Sequence, residues 1–268
     1  MASALLLRQV NVLEGPGQPP VQRDVWLEGG RLGWWSEDPS LPPRESPPER
    51  VVEASGWWLA PPLVDPHSVL EDPLLGRSET LASLARAAAT GGYGTVALLP
   101  WAKPWRDRPE RLQLAWPSPL RLGLWGSFSV EGADDDLALQ AEQLAAGALG
   151  LAGSNQLPPL ALLERGLRLG EMGRHPVLVA PRDASLTREG FVRERVEALR
   201  AGWPTDPPLS ETLPLQTVLN LRALHPNGAL RLMNISTAES VSLLRFPTQP
   251  PLGPVNRGDP QAGPRPPP

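Results

Sequence analysis

Cysteine is absent from the 268 residues, which excludes disulfides, thiolate catalysis and cysteine-ligated metal. Lysine occurs once, as Lys103, and histidine three times, as His67, His175 and His225. Schiff-base chemistry and a histidine-rich metal centre therefore have few residues to draw on. Neither sign of charge dominates. With 25 basic and 29 acidic residues the net charge is -4, so no electrostatic argument favours a nucleic-acid partner or an anionic membrane. No window approaches the roughly 20 apolar residues of a membrane span. The opening M-A-S-A-L-L-L-R-Q-V lacks the basic start and long apolar run of an export signal. A cytoplasmic protein is expected.

Proline is abundant, with 35 residues, as is tryptophan, with 10, and arginine almost replaces lysine. A coding bias toward Pro, Arg, Ala, Leu and Gly explains this without appeal to function. The length suits one large α/β domain or a barrel with a small appendage, and it is enough to bury a substantial core.

The chain is organised around Gly56 to Pro73, G-W-W-L-A-P-P-L-V-D-P-H-S-V-L-E-D-P. The apolar run from Leu59 to Val64 reads as a buried strand that delivers Asp65 and His67 to its carboxyl end, where α/β sheets and barrels place their sites. Before it, three short strands, a proline-rich loop from Pro39 to Pro48 and V-V-E-A-S-G-W-W-L read as a small β unit. After it, helix and strand patterns alternate. S-E-T-L-A-S-L-A-R-A-A-A-T reads as a helix capped by Ser78 and stopped by Gly91 and Gly92, and Y-G-T-V-A-L-L-P as a buried strand. A polar helix is expected from Arg106 to Ala115, then a third strand over L-R-L-G-L-W-G-S-F-S-V.

Asp134 to Asp136 read as the solvated, acidic start of a helix, in keeping with its dipole. That reading is preferred to a divalent-metal site because consecutive helical carboxylates do not face one ion. A-L-G-L-A-G-S-N-Q supplies a fourth strand, P-P-L-A-L-L-E-R-G-L-R-L-G-E-M-G-R an amphipathic helix, and H-P-V-L-V-A-P-R-D a fifth strand. His175, at the amino end of that strand, reads as a surface or cap residue, and His225, before Pro226, as structural or solvated. A helix from Leu209 to His225 follows, then a strand-to-helix turn at Ile235 to Val241 with Ser236 or Thr237 as cap.

Three blocks resemble the dihydroorotases and related cyclic amidohydrolases, in order and spacing, over about residues 4 to 245. The family's first barrel strand reads roughly P-G-L-V-D-x-H-x-H-L-R-E-P, and Pro62, Leu63, Val64, Asp65, His67 and Pro73 match it. Glu79, Thr80, Ala87 to Ala89, Gly91, Gly92, Thr95, Val96 and Pro100 fall in register with the next block. The turn S-T-A-E-S-V at Ser236 to Val241 matches the third. The resemblance implies an incomplete TIM-type (β/α) barrel of about six βα units, preceded by a small β unit that is part of a composite sandwich. The expected divisions are 1–58 for the β unit, 59–246 for the barrel and 247–268 for a disordered Pro/Gly-rich tail in place of the last barrel strands.

The resemblance also implies zinc-dependent hydrolysis of a cyclic amide, of the kind used in pyrimidine biosynthesis, by descent. His67 and Asp65 stand where the family has metal ligands, although for His67 a packed, hydrogen-bonded role is the preferred reading. The other histidine positions are Val69, Ala180, Arg231 and Asn234, and the family's H-x-E-D becomes Ala180-Pro181-Arg182-Asp183. Gly153, Ser154 and Asn155 replace the family's metal-binding Asp or Lys, while Glu71 and Trp101 replace its substrate-binding Arg and Asn. These losses predict a dihydroorotase-like chain without catalytic residues, with zinc absent or weakly held. The alternative role is that of a non-catalytic assembly partner of aspartate transcarbamoylase, or a self-associating chain.

Overall fold

The structure, a computed structural model, describes residues 4–34, 48–70, 79–114, 116 and 120–245. Most of the proline-rich loop, the Ser78 cap, Glu71, Pro73 and the tail lie outside the described residues. The chain divides into two compact units, Met1–Val64 and Asp65–Pro268.

The first unit is a sheet of β1 (Leu5–Val12), β2 (Val21–Glu28), β3 (Arg31–Trp34), β4 (Arg50–Glu53) and β5 (Trp58–Leu59). β1 lies at its centre, antiparallel to β2 and parallel to β4 and β5. Gly29 and Gly30, with φ of 56° and 74°, make the two-residue turn into β3, a conformation that twists with the strands it joins. A bulge shifts the β1–β2 register between Leu7 and Val10, where Gln9 has φ 56° and its N–H donates to Asp24 Oδ1 at 2.8 Å. Val10, Val12, Val25 and Ala54 pack as the core of this unit.

The second unit alternates strands and helices. In chain order these are β6 (Leu63–Ser68), α1 (Leu81–Thr90), β7 (Tyr93–Leu98), β8 (Arg121–Leu124), β9 (Gly126–Ser127), α2 (Gln140–Ala145), β10 (Leu151–Ala152) and α3 (Leu160–Leu169). Then come β11 (Val177–Val179), α4 (Ala184–Thr187), β12 (Val192–Arg193), α5 (Val196–Arg200), β13 (Thr205–Asp206), α6 (Leu209–Leu224), β14 (Leu230–Leu232) and α7 (Ala238–Arg245). The sheets run β6-β7-β8 and β9-β10-β11-β14, so neighbours in space follow chain order, with β12-β13 a separate pair. β8 and β9 are one strand interrupted at Trp125, whose backbone N–H donates to Leu98 O at 3.0 Å and carries the pairing from one sheet to the next. The pairings β7–β8, β9–β10, β10–β11 and β11–β14 are parallel. This is an incomplete TIM-type α/β barrel.

Alternation along the strands separates two faces. Val96 and Leu98 pack outward beneath α1, and Leu151, Val177 and Val179 pack outward with Leu162, Leu163 and Leu167 of α3. Ala97, Leu99, Ala152, Leu178 and Ala180 face the other way and pack with Trp125 and Met233.

Four expectations need correction. The first barrel strand is Leu63–Ser68, whereas Trp58 and Leu59 pair with β1 in the first unit. Its apolar residues are not buried: Leu63 is 54% and Val64 60% exposed, because among the described residues β6 has only β7 as a strand neighbour. Asp134 to Asp136 do not open a helix. Asp134 is buried with φ 62°, and α2 starts only at Gln140. The segment after Arg106 forms a single 3-10 turn, Pro109–Leu112, and leaves Arg106 and Asp107 buried. The cap of α1 is Thr80, in a reciprocal capping box with Ser83. Among the described residues no helix is long and apolar enough to cross a membrane.

Phe128 is fully buried against α3, where a Cβ on Gly166 would come within 2.7 Å of its ring. Phe128→Ala is expected to cost about 3–5 kcal/mol in urea unfolding. Leu224→Ala, at a side chain 71% exposed, is expected to stay within about 0.5 kcal/mol.

Candidate functional site

In this architecture the reactive groups belong at the carboxyl ends of the strands. Asp65 and His67 lie within β6, Asp65 at mid-strand and His67 one residue before its carboxyl end, where a strand ending at Val64 was expected to place both beyond it. The Asp65 carboxylate is committed locally: it accepts from Ser68 Oγ at 2.5 Å and from the His67 N–H at 3.1 Å. The His67 ring lies beside Trp125, with ring centroids 6.1 Å apart and planes tilted by 53°. Burial pushes the His67 pKa down, and although Asp65 raises it, the positive charge of Arg231 lowers it further.

The inner face beside His67 carries a cluster of apolar side chains. Trp125 is 4% exposed, donates its indole N–H to Pro66 O at 2.9 Å, and packs with Ala97, Leu99, Ala152, Leu178, Ala180 and Met233. Trp101 packs on the same cluster and donates its indole N–H to Gly153 O at 2.9 Å, tying the end of β7 to the end of β10. Ala180 is 1% exposed within this cluster. Leu230 packs outward and Met233 inward, so strand parity places Arg231 on the inner face, where its charge reaches His67. Asn234, at φ 61°, donates from Nδ2 to Asn155 Oδ1 at 3.0 Å. Val69 is exposed. Lys103 is exposed in the loop after β7.

Zinc requires three or more protein ligands drawn from imidazole, carboxylate or thiolate. Among the described residues no three of His, Asp and Glu converge to hold a metal, and His67 has the Trp125 indole and the Arg231 charge as neighbours. These residues do not fit a zinc centre. His175 is exposed at the amino end of β11, with Nδ1 3.4 Å from Leu149 O, and His225 closes α6 with Nε2 3.8 Å from Glu164. Both are remote in role from the strand ends. Asp183, the survivor of the H-x-E-D pattern, caps α4: it accepts from Ser185 Oγ at 2.6 Å and Ser185 N at 2.8 Å, and these bonds hold its pKa below the usual carboxylate range.

Sequence reasoning missed a polar network beyond β11 and β14. Arg193 donates to Asp206 Oδ2 at 3.0 Å, and also to Glu211 Oε2 and Ser236 Oγ, both at 2.6 Å. Arg182 donates to the same Asp206 oxygen at 3.2 Å, and Ser210 Oγ donates to Asp206 Oδ1 at 2.5 Å. Glu211 further accepts from the backbone N–H groups of Ser236 and Thr237 and from both hydroxyls. Thr237 Oγ1 in turn accepts from Ser240 N at 3.2 Å, so Thr237 is the cap of α7. Burial alone would raise the Glu211 pKa, but hydrogen bonds from Ser240, Thr237 and Ser236 outweigh it and lower it to about 2. The only local signal for this network was the serine and threonine run before α7.

No family profile matches the sequence. A probable dihydroorotase-like protein of Synechocystis sp. is 29% identical over 265 residues, covering 88% of this chain and 58% of the relative. The dihydroorotase of Anaeromyxobacter dehalogenans is 28% identical over 251 residues, covering 91% and 57%. Among solved structures, the L-hydantoinase (dihydropyrimidinase) of Arthrobacter aurescens superposes with a TM-score of 0.66 at 18% identity, over 91% of this chain and 55% of its own. The D-hydantoinase of Thermus sp. does so with 0.61 at 20% identity, over 89% and 54%. The fold is therefore that of the amidohydrolase barrels. In sequence the chain is similar to dihydroorotases and a dihydroorotase-like protein, and it spans little more than half the length of these curated relatives.

The folded Glu211 pKa lies below that of a free carboxyl, so its stabilisation is present above the unfolded pKa and is lost as pH falls from about 4.5 toward 2. Glu211→Gln is expected to remove on the order of 3 kcal/mol at pH 7 and to flatten the acid limb of stability in that window. Urea midpoints measured across pH 2 to 7 check both.

Proposed function

We propose that this chain retains the dihydroorotase fold without the hydrolase chemistry, and that it acts through binding. The observation that carries this reading is the filled inner face. Trp125 and Trp101 occupy the strand ends where hydrolysis of a cyclic amide needs a metal-bound water, and Arg231 sets a positive charge beside His67. A cation approaching His67 meets like-charge repulsion, and the apolar wall of Ala97, Leu178 and Ala180 offers it no ligand. A water trapped there would find few acceptors or donors. Dihydroorotase ancestry explains the order of strands and the turn at Ser236 to Val241, which the fold uses for capping.

The purified chain is expected to show no dihydroorotate hydrolysis above the uncatalysed rate, with or without added zinc, in an assay following loss of the cyclic amide. Arg231→His is expected not to restore it, because one more imidazole still leaves an incomplete ligand set. Turnover that disappears with a chelator and returns with zinc would overturn the reading.

A further inference from the structure

Arg106 is a buried charge with no carboxylate partner among the described residues. It lies in the loop between β7 and β8 and is 3% exposed. One terminal nitrogen, Nη2, donates to the backbone carbonyls of Leu98 and Leu99. Its Nε is buried with no hydrogen-bond partner, and among the described residues no carboxylate pairs with the guanidinium. Burial pushes its pKa down to about 10, the direction a cation takes when no counter-charge supports it, yet it remains protonated at neutral pH. A lone guanidinium in a protein interior is unfavourable unless something of opposite charge joins it.

The space beside it matches such a guest. A cavity of about 120 Å³ is lined by Lys103, Pro104, Arg106, Glu110, Arg111, Gln113 and Leu114. That is well below the roughly 300–1,000 Å³ of pockets that take drug-sized molecules. Arg111 is already matched, donating to Asp107 Oδ1 at 2.8 Å. Arg106 and Lys103 therefore remain, against the single carboxylate of Glu110, and Lys103 makes no ion pair among the described residues. The loop is held from the far side, where Ser127 N donates to Arg106 O at 2.8 Å, so the guanidinium is positioned by the backbone of β9.

We propose that this cavity is a binding site for a small oxyanion, a phosphate group or a carboxylate, held by the Arg106 guanidinium from within and the Lys103 ammonium from the rim. A guanidinium and an ammonium donate to such an oxyanion through charge-assisted hydrogen bonds, and the ligand supplies the acceptors that Arg106 lacks. The site is separate from the inner face around His67, so it stands or falls independently of whether the chain hydrolyses an amide.

Isothermal titration of the full chain with inorganic phosphate, methyl phosphate and acetate, at constant ionic strength in chloride, tests it. Saturable binding of at least one of the three is expected, and which of them binds separates a phosphoryl guest from a carboxylate. Because Lys103 is exposed, Lys103→Ala leaves the fold intact, and it is expected to weaken binding about tenfold, while Lys103→Arg retains it. The proposal is overturned if none of the three anions binds saturably, or if Lys103→Ala binds as tightly as the parent chain.

Discussion

The indole of Trp125 is the constraint on which the second unit depends. Its residue interrupts the third barrel strand, so its backbone N–H closes on Leu98 while the residues after it turn to pair with β10. The ring then fills the inner face between β7 and β11, and the indole N–H reaches back to Pro66 on β6. One side chain thus joins the two sheets and is tied to β6 through the Pro66 carbonyl. A buried indole is favoured by its large apolar area provided its N–H finds an acceptor, and the Pro66 carbonyl meets that condition.

Electrostatics reinforce the packing. Several carboxylates of the second unit are taken up by cations and helix caps. Glu211 and Asp206 hold Arg193 between them, Arg182 shares Asp206, and Asp183 serves the start of α4. Asp134 accepts from Ser129 and Ser154, which ties the loop after β9 to the loop after β10. Each bond fixes a strand end or a helix start, so the polar groups at this end of the fold act chiefly on architecture. The Glu211 cluster does this most strongly, since two backbone N–H groups of the turn before α7 have it as their acceptor.

The order of strands and helices was legible because it is written in local periodicity. Y-G-T-V-A-L-L-P and the leucines of α3 announce a buried strand and an amphipathic helix without reference to the rest of the chain. What escaped was set by distant residues. Asp134 looked like a helix start, but hydrogen bonds to Ser129 and Ser154 hold it in a left-handed conformation. β6 looked buried from its Leu-Val run, yet burial depends on neighbours that the run does not specify. Arg193 and Asp206 met Glu211 only through the fold, and Arg106, which a polar helix would have left in water, became enclosed by the loop.

The central claim is that the inner face is packed and charged against a metal. Zinc content of the chain, produced in zinc-supplemented medium and dialysed before inductively coupled plasma mass spectrometry, tests this most directly. The account predicts zinc far below stoichiometric and removable by dialysis alone. Stoichiometric zinc that survives dialysis and is lost in His67→Ala would contradict it.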